Sequence, residues 1–106
     1  MRPKVVRVLK DLRAQLESIY GDRLARVMLF GSQARGDAVP ASDLDVLVVL
    51  EGDVDPGKEI GRTGKVVTAL SLQNDTVISC VFISSMRYAS EESPFLLNVR
   101  HEGISI

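Results

Sequence analysis

The stretch that decides the fold is LFGSQARGDAVPASDLDVLV, residues 29–48. It starts at the end of a short apolar segment, Leu24 to Phe30, which predicts a β-strand. Gly31 and Ser32 interrupt that strand. The stretch ends inside a second segment, Asp43 to Leu50, whose later half is continuously apolar, as in a central strand that is buried on both faces. We therefore expect two strands joined by a connection rich in polar and charged groups.

Two aspartates, Asp43 and Asp45, stand at the head of the second strand. Strand side chains alternate between faces, so both carboxylates should lie on one face, about 6–7 Å apart. Two anions that close, beside an apolar strand, repel each other unless a cation lies between them. Oxygen ligands favour Mg²⁺ or Mn²⁺ over zinc, and Mg²⁺ completes its shell with waters and substrate phosphates. The alternative is a solvated pair at a strand end, which the D-x-D pattern taken alone favours.

The turn between the strands has the residues of a phosphate-binding site. Gly31 allows a positive φ and a close approach of the backbone to a ligand. Ser32 is placed to cap a short following helix and to donate its hydroxyl to a phosphate, and N–H groups at such a position favour anions. Arg35 can reach a phosphate oxygen as a charged donor. No Gly-Lys-[Ser/Thr] follows, which excludes a Walker A loop.

With these residues in view, the sequence resembles the DNA polymerase beta-type nucleotidyltransferase superfamily. The resemblance rests on Gly31-Ser32, ten further residues and Asp43-x-Asp45, with Ser42 before the first acid. The small size makes it similar to the minimal nucleotidyltransferases, which are typically paired with a HEPN-domain partner. The resemblance spans essentially the whole chain. It implies an α/β (α+β) fold, with a small mixed sheet of about four strands flanked by helices, in a single domain of residues 1–106.

The resemblance also implies a reaction. A nucleoside monophosphate, AMP from ATP, would pass to a hydroxyl acceptor such as a tyrosine of a HEPN ribonuclease toxin, with release of pyrophosphate. Asp43 and Asp45 would hold Mg²⁺, with two ions possible and Mn²⁺ as a substitute, and the metal would clamp the attacking and leaving oxygens. The residues implied to bind the nucleotide are Gly31, Ser32, Arg35 and Ser42. The alternative is a binding module with a weak or silent site, which neutralises a HEPN partner by direct contact.

The chain departs from the family pattern at the third carboxylate. The superfamily often carries this acid on a later strand, where it completes the metal site and helps to deprotonate the acceptor. Here the later strand, predicted over residues 76–83, contains no carboxylate. Asp75, just before it, is the nearest candidate for a third metal ligand.

The remaining elements follow from periodicity and from helix-terminal residues. Apolar residues at three- and four-residue steps predict helices over residues 4–20 and 58–73, the latter with Ile60 and Leu70 near its inward face. Ser93-Pro94 begins a third helix that stops at Gly103, and residues 104–106 form a short closing strand. Four later side chains are expected to make packing contacts and not to bind a ligand: Met86, Tyr88, Phe95 and Leu96. For Tyr88 the alternative is stacking on a base. Cys80 is expected to be a small buried hydrophobe.

Composition sets the broad class. Hydrophobic residues make up 45% and charged residues 25% of 106 residues, which excludes a disordered chain, collagen and a disulfide scaffold. The single cysteine suits a reducing compartment. There is no apolar run near the roughly 20 residues of a membrane span, and the start of the chain does not read as a secretory signal. We therefore expect a cytoplasmic protein with no membrane partner and no direct nucleic-acid binding.

Charge is unevenly distributed along the chain. Residues 1–36 carry eight Lys and Arg against three Asp and Glu, whereas residues 37–59 carry one Lys against seven acids. The acidic part is either a solvated loop or a cation site beside a surface that attracts anions. A chain this short has no room for an acceptor-binding domain. We therefore expect the acceptor surface to come from another chain, and homo-oligomerisation stays open.

Overall fold

The structure is a computed structural model and describes residues 2–36 and 43–106, so Ser42 lies outside the described residues. The elements are α1 (Pro3–Tyr20), a 3₁₀ turn (Gly21–Arg23), β1 (Leu24–Phe30), α2 (Ser32–Arg35), β2 (Leu44–Leu50), α3 (Pro56–Gln73), β3 (Ile78–Ser84), α4 (Ser85–Ser90), α5 (Pro94–Glu102) and β4 (Ile104–Ser105). The predicted α/β class with a four-stranded mixed sheet is confirmed. No helix in these two ranges is both long and apolar enough to cross a membrane.

The strands form one sheet in the order β3-β2-β1-β4. β1 runs antiparallel to both β2 and β4, and β2 runs parallel to β3. The parallel pair needs a crossover connection, which α3 supplies. β2 lies inside the sheet, and the side chains of residues 46–50 are all buried. This placement explains the continuous apolar run of residues 46–50.

One face of the sheet is covered by α1 and α3. The buried stripe of α1 recurs at three- and four-residue steps and consists of Val5, Val8, Leu9, Leu12, Leu16 and Tyr20. It packs against alternate residues of β2, which are Leu44, Val46, Val48 and Leu50. The periodicity predicted for the first helix is therefore confirmed.

The inward face of α3 differs from the prediction. Ile60 is 57% exposed, whereas its neighbour Glu59 is buried together with Thr63. The hydroxyl of Tyr20 donates a 2.8 Å hydrogen bond to Oε1 of Glu59, and Arg62 lies 3.5 Å from the same oxygen. A buried carboxylate needs such partners. This polar contact, which periodicity of apolar residues does not reveal, turns Ile60 towards solvent.

The opposite face of the sheet is covered in part by α5. Leu47 and Val49 of β2 pack there against Leu96 and Val99. Because side chains alternate along a strand, Asp45 lies on this second face, beyond Leu47. Asp45, one of the two acids predicted to lie on this strand, therefore belongs to the α5 side of the sheet, whereas Asp43 precedes the first residue of β2.

The segment between β3 and α5 also differs from the prediction. β3 starts two residues later than expected, at Ile78, and an additional helix, α4, follows it directly. The side chain of Ser84 caps α4 by accepting a hydrogen bond from the N–H of Arg87. Met86, expected to make packing contacts, is 80% exposed.

Candidate functional site

The carboxylate of Asp45 lies directly against the backbone of Gly31. Phe30 and Asp45 are partners in the register of β1 and β2, so the turn after β1 passes beside this carboxylate. A Cβ atom at residue 31 would lie 2.5 Å from Oδ2 of Asp45. Gly31 also has φ +73° and ψ −156°, a region that residues with a side chain avoid. Both the space and the backbone conformation therefore require glycine here.

Asp45 is in an environment that disfavours its charged form. Burial raises the pKa of its carboxyl, the negative charge of Asp43 raises it further, and the guanidinium of Arg35 opposes both effects. Asp43 itself is exposed and precedes the first residue of β2. The three predicted site residues Asp43, Asp45 and Arg35 are thus close enough to interact electrostatically.

Ser32 was predicted to cap the short helix α2, and this prediction is wrong, because Gly31 takes the N-cap position. Ser32 is instead the first helical residue. The N–H groups of Ala34 and Arg35 each donate a 3.1 Å hydrogen bond to the carbonyl oxygen of Gly31. No residue in the described ranges hydrogen-bonds to the Ser32 hydroxyl.

β3 supplies no carboxylate to the site. Ser79 is the register partner of Asp45 and Val81 that of Leu47, so these two side chains share the face of Asp45. Across residues 2–36 and 43–106, no group of three or more His, Cys, Asp and Glu side chains is placed to hold a metal ion.

Asp75, the predicted third ligand, lies in a different place. It is exposed, has φ +49° and lines a small hollow with Gln33, Leu44 and the start of α1. This geometry does not favour a metal role for Asp75, which stays a prediction.

A hollow of about 150 Å³ opens beside Gly31, between the end of β1 and α5. Its lining is Phe30, Gly31 and Arg35 on one side and Phe95, Asn98 and Glu102 on the other, with Val99 at the base. The rings of Phe30 and Phe95 meet edge to face, with centroids 5.3 Å apart. A guanidinium nitrogen of Arg35 lies 3.9 Å from a carboxylate oxygen of Glu102.

From the sequence, Phe95 is predicted to pack, and no prediction covers Asn98 or Glu102. These three residues stand at positions i, i+3 and i+7 of α5 and therefore share one face of that helix, a spacing that is visible in the sequence. The buried residues Leu96 and Val99 form the adjacent stripe. A larger hollow of about 340 Å³, between α1 and residues 104–106, lies away from Asp45, because α1 covers the opposite face of the sheet.

The sequence of residues 9–93 matches the nucleotidyltransferase domain family. The chain belongs to this family, and the matched region includes β1, β2 and the acid pair Asp43 and Asp45.

Two curated relatives come from Methanocaldococcus jannaschii, and both are named putative protein adenylyltransferases. The first, MJ0141, is 29% identical over 103 residues, which are 97% of this chain and 99% of the relative. The second, MJ0604, is 35% identical over 98 residues, which are 92% of each chain. These matches extend over nearly all of both proteins.

Solved structures share the fold. A crystal structure of a toxin–antitoxin with AMP-PNP has a TM-score of 0.60 at 20% identity, over 96% of this chain and 68% of that one. The MNT antitoxin complex with a tri-AMPylated HEPN toxin of Shewanella oneidensis has a TM-score of 0.52 at 16% identity, over 92% of this chain and 70% of that one. At these identities the comparison establishes the architecture alone.

Proposed function

We propose that this chain is an Mg²⁺-dependent adenylyltransferase that transfers AMP from ATP to a hydroxyl of a HEPN-domain protein partner. The observation that carries the proposal is the carboxylate of Asp45, seated against Gly31 and interacting with Asp43. The glycine that follows β1 and the acids at the head of β2 would then form one site, on the face of the sheet where Val81 of β3 is 40% exposed. The names of the curated relatives support protein AMPylation as the activity.

The donor set fits Mg²⁺. Asp43 and Asp45 offer oxygen ligands only, which a small hard cation prefers. Burial raises the pKa of the Asp45 carboxyl, and the negative charge of Asp43 raises it further. A cation held by both carboxylates would offset these effects. When bound, the metal supplies charge stabilisation to the α-phosphate and to the leaving pyrophosphate.

The other residues of the site position the triphosphate. Arg35 provides a charged donor next to Asp45, and Ser32 provides a hydroxyl without a partner among the described residues. The acceptor oxygen forms the new bond to the α-phosphorus while the bond to the bridging oxygen of the β-phosphate breaks. Pyrophosphate leaves, and the proton of the acceptor hydroxyl passes to solvent or to a group of the partner.

A HEPN partner is supported by the fold comparison, since the similar antitoxin binds a HEPN toxin that carries AMP groups. Within the described residues, the face of the sheet that carries Asp45 is covered only in part, by α5, which would let a partner present its hydroxyl there.

A second function, neutralisation by contact without catalysis, is favoured by one observation: the absence of a third acid near Asp45 among the described residues. Co-expression in growing cells separates the two functions. We expect the wild type to restore growth in the presence of the HEPN partner and the variant Asp43→Asn/Asp45→Asn to fail, although it still binds the partner in a pull-down. Full neutralisation by the double variant would establish contact as the mechanism.

A further inference from the structure

We infer that the hollow between β1 and α5 holds the nucleobase of the triphosphate, with the base against the ring of Phe95. This inference rests on the proposed function and assigns the part of the ligand that the acid pair leaves unassigned.

The first support is the position of the hollow next to the acid pair. Gly31 lines the hollow and also contacts the carboxylate of Asp45, so a ligand with its phosphates at the acid pair has its remainder beside this cavity.

The second support is the chemistry of the lining. Phe95 is 41% exposed although it is a large apolar side chain, and the edge-to-face contact with Phe30 fixes the orientation of its ring. Aromatic rings with an accessible face stack well on nucleobases. The packing expected for Phe95 from sequence accounts for its contact with Phe30 but not for the exposed part.

The third support is a small set of polar groups beside this aromatic surface. The side chain of Asn98 makes no hydrogen bond to any described residue, and it carries both a donor and an acceptor. Asn is suited to pair with the edge of a base. Glu102 and Arg35, close to each other across the hollow, add an acceptor and donors. A mainly apolar cavity with a few polar groups is the usual form of a small-molecule site.

The framework around the hollow is fixed independently of the site. Arg100 donates hydrogen bonds to the backbone carbonyls of Tyr88 and Glu91, which ties α5 to α4. Leu96 and Val99 anchor α5 in the core. Exposed side chains on the cavity stripe of α5 can therefore be replaced without loss of the fold.

The test compares two ligands on matched variants. Affinity for AMP-PNP and for inorganic tripolyphosphate is measured by calorimetry with Mg²⁺ present. Phe95→Ala should weaken AMP-PNP binding about tenfold or more, as expected for the loss of a stacking platform, and leave tripolyphosphate binding unchanged. Leu97→Ala, on the same helix, 47% exposed and outside the hollow, should change neither.

Two further variants isolate the aromatic and polar contributions. Phe95→Leu keeps an apolar side chain but removes the ring, and it should weaken AMP-PNP binding nearly as much as Phe95→Ala. Asn98→Ala should cause a smaller loss, about threefold, the scale of a neutral hydrogen bond. Thermal melting of each variant confirms that the fold is retained.

Equal AMP-PNP affinity of the wild type and Phe95→Ala would overturn the inference. An increase in the acceptor concentration needed for transfer, with unchanged AMP-PNP affinity, would also overturn it and assign the hollow to the acceptor. A wild-type chain that binds neither AMP-PNP nor tripolyphosphate would instead contradict the proposed function, so the two failures are distinct.

Discussion

The carboxylate of Asp45 occupies the space that a side chain at Gly31 would fill. Oδ2 of Asp45 lies 2.5 Å from the position of a Cβ atom at residue 31. The two residues come from adjacent antiparallel strands, and the register that pairs Phe30 with Asp45 brings them together. The turn after β1 and the acid pair are therefore linked in structure, and a change at Gly31 or Asp45 should affect the other residue.

Gly31→Ala should disrupt the site and destabilise the fold. Alanine at a φ of +73° with ψ −156° costs about 1–3 kcal/mol, and its methyl group would displace the Asp45 carboxylate. Mn²⁺ binding, followed by paramagnetic broadening, should weaken strongly.

Gly61→Ala is the matched control, because Gly61 is exposed on α3 with no heavy atom near a new Cβ. It should raise stability by up to about 1 kcal/mol, as glycine is a poor helix former. Unchanged Mn²⁺ binding in Gly31→Ala would contradict the contact described above.

Asp45→Asn should stabilise the chain in a pH-dependent manner. Because the pKa of Asp45 is raised on folding, the folded state binds this proton more tightly than the unfolded state. The carboxyl therefore favours folding most when it is protonated, and this contribution is lost as pH rises from its ordinary value of 3.8 through the raised value. Near neutral pH, the free energy of unfolding of the variant should exceed that of the wild type by on the order of 1 kcal/mol or less, and its melting temperature should be higher. The difference should disappear in acid. A variant that is less stable than the wild type at neutral pH would contradict this account.

Ser32→Ala should weaken triphosphate binding more than folding. The Ser32 hydroxyl has no hydrogen-bond partner among the described residues, and Gly31 is the N-cap of α2. The loss of a hydrogen bond to a charged phosphate corresponds to about 1.5–3 kcal/mol of binding free energy.

Ser84→Ala is the control for a purely structural serine, since Ser84 caps α4 and lies outside the proposed site. It should lower stability by about 1 kcal/mol and leave binding intact. Calorimetry and thermal melting on both variants give the comparison. A lower melting temperature with full nucleotide affinity for Ser32→Ala would reduce Ser32 to a structural role.

Tyr20→Phe tests the polar contact between α1 and α3. The Tyr20 hydroxyl donates to the buried Glu59, so its removal leaves a buried carboxylate oxygen with the more distant Arg62 as its partner. The expected loss of unfolding free energy is about 1–3 kcal/mol, measured by urea denaturation. The double variant Tyr20→Phe/Glu59→Gln should recover part of this loss, because it removes the buried charge. No loss in the single variant would show that Arg62 alone stabilises Glu59.

Sequence patterns predicted the parts of the fold that depend on apolar periodicity and turn residues. β1 was predicted with its observed bounds, and the helices α1, α3 and α5 were found because their apolar residues or terminal residues are distinctive. The helix α4 was missed because SMRYAS has neither an apolar stripe nor the length that makes a helical period visible. The error at Ile60 has a different origin, since the buried group on that turn of α3 is Glu59 and its partner is remote in sequence.

The site was predictable to the extent that it is local in sequence. Gly31, Asp43 and Asp45 lie within 15 residues. Alternation along β2 places Asp45 on the α5 side of the sheet, whereas Asp43 precedes β2, so the shared face expected for the two acids stays a prediction. The hollow at α5 was not predicted, since it depends on the tertiary contact between Phe30 and Phe95, which are 65 positions apart in sequence. The roles of the acids and of the nucleotide-binding residues remain predictions that the experiments above address.

The central claim is that the acid pair transfers AMP to a protein hydroxyl, and ATP labelled at one phosphate at a time tests it most directly. The purified chain is incubated with its HEPN partner, Mg²⁺ and ATP labelled at the α- or γ-phosphate. The account predicts that the α label becomes covalently attached to the partner, that the γ label is released in pyrophosphate, and that Asp45→Asn abolishes both. Attachment of the γ label, or equal transfer by Asp45→Asn, would contradict it.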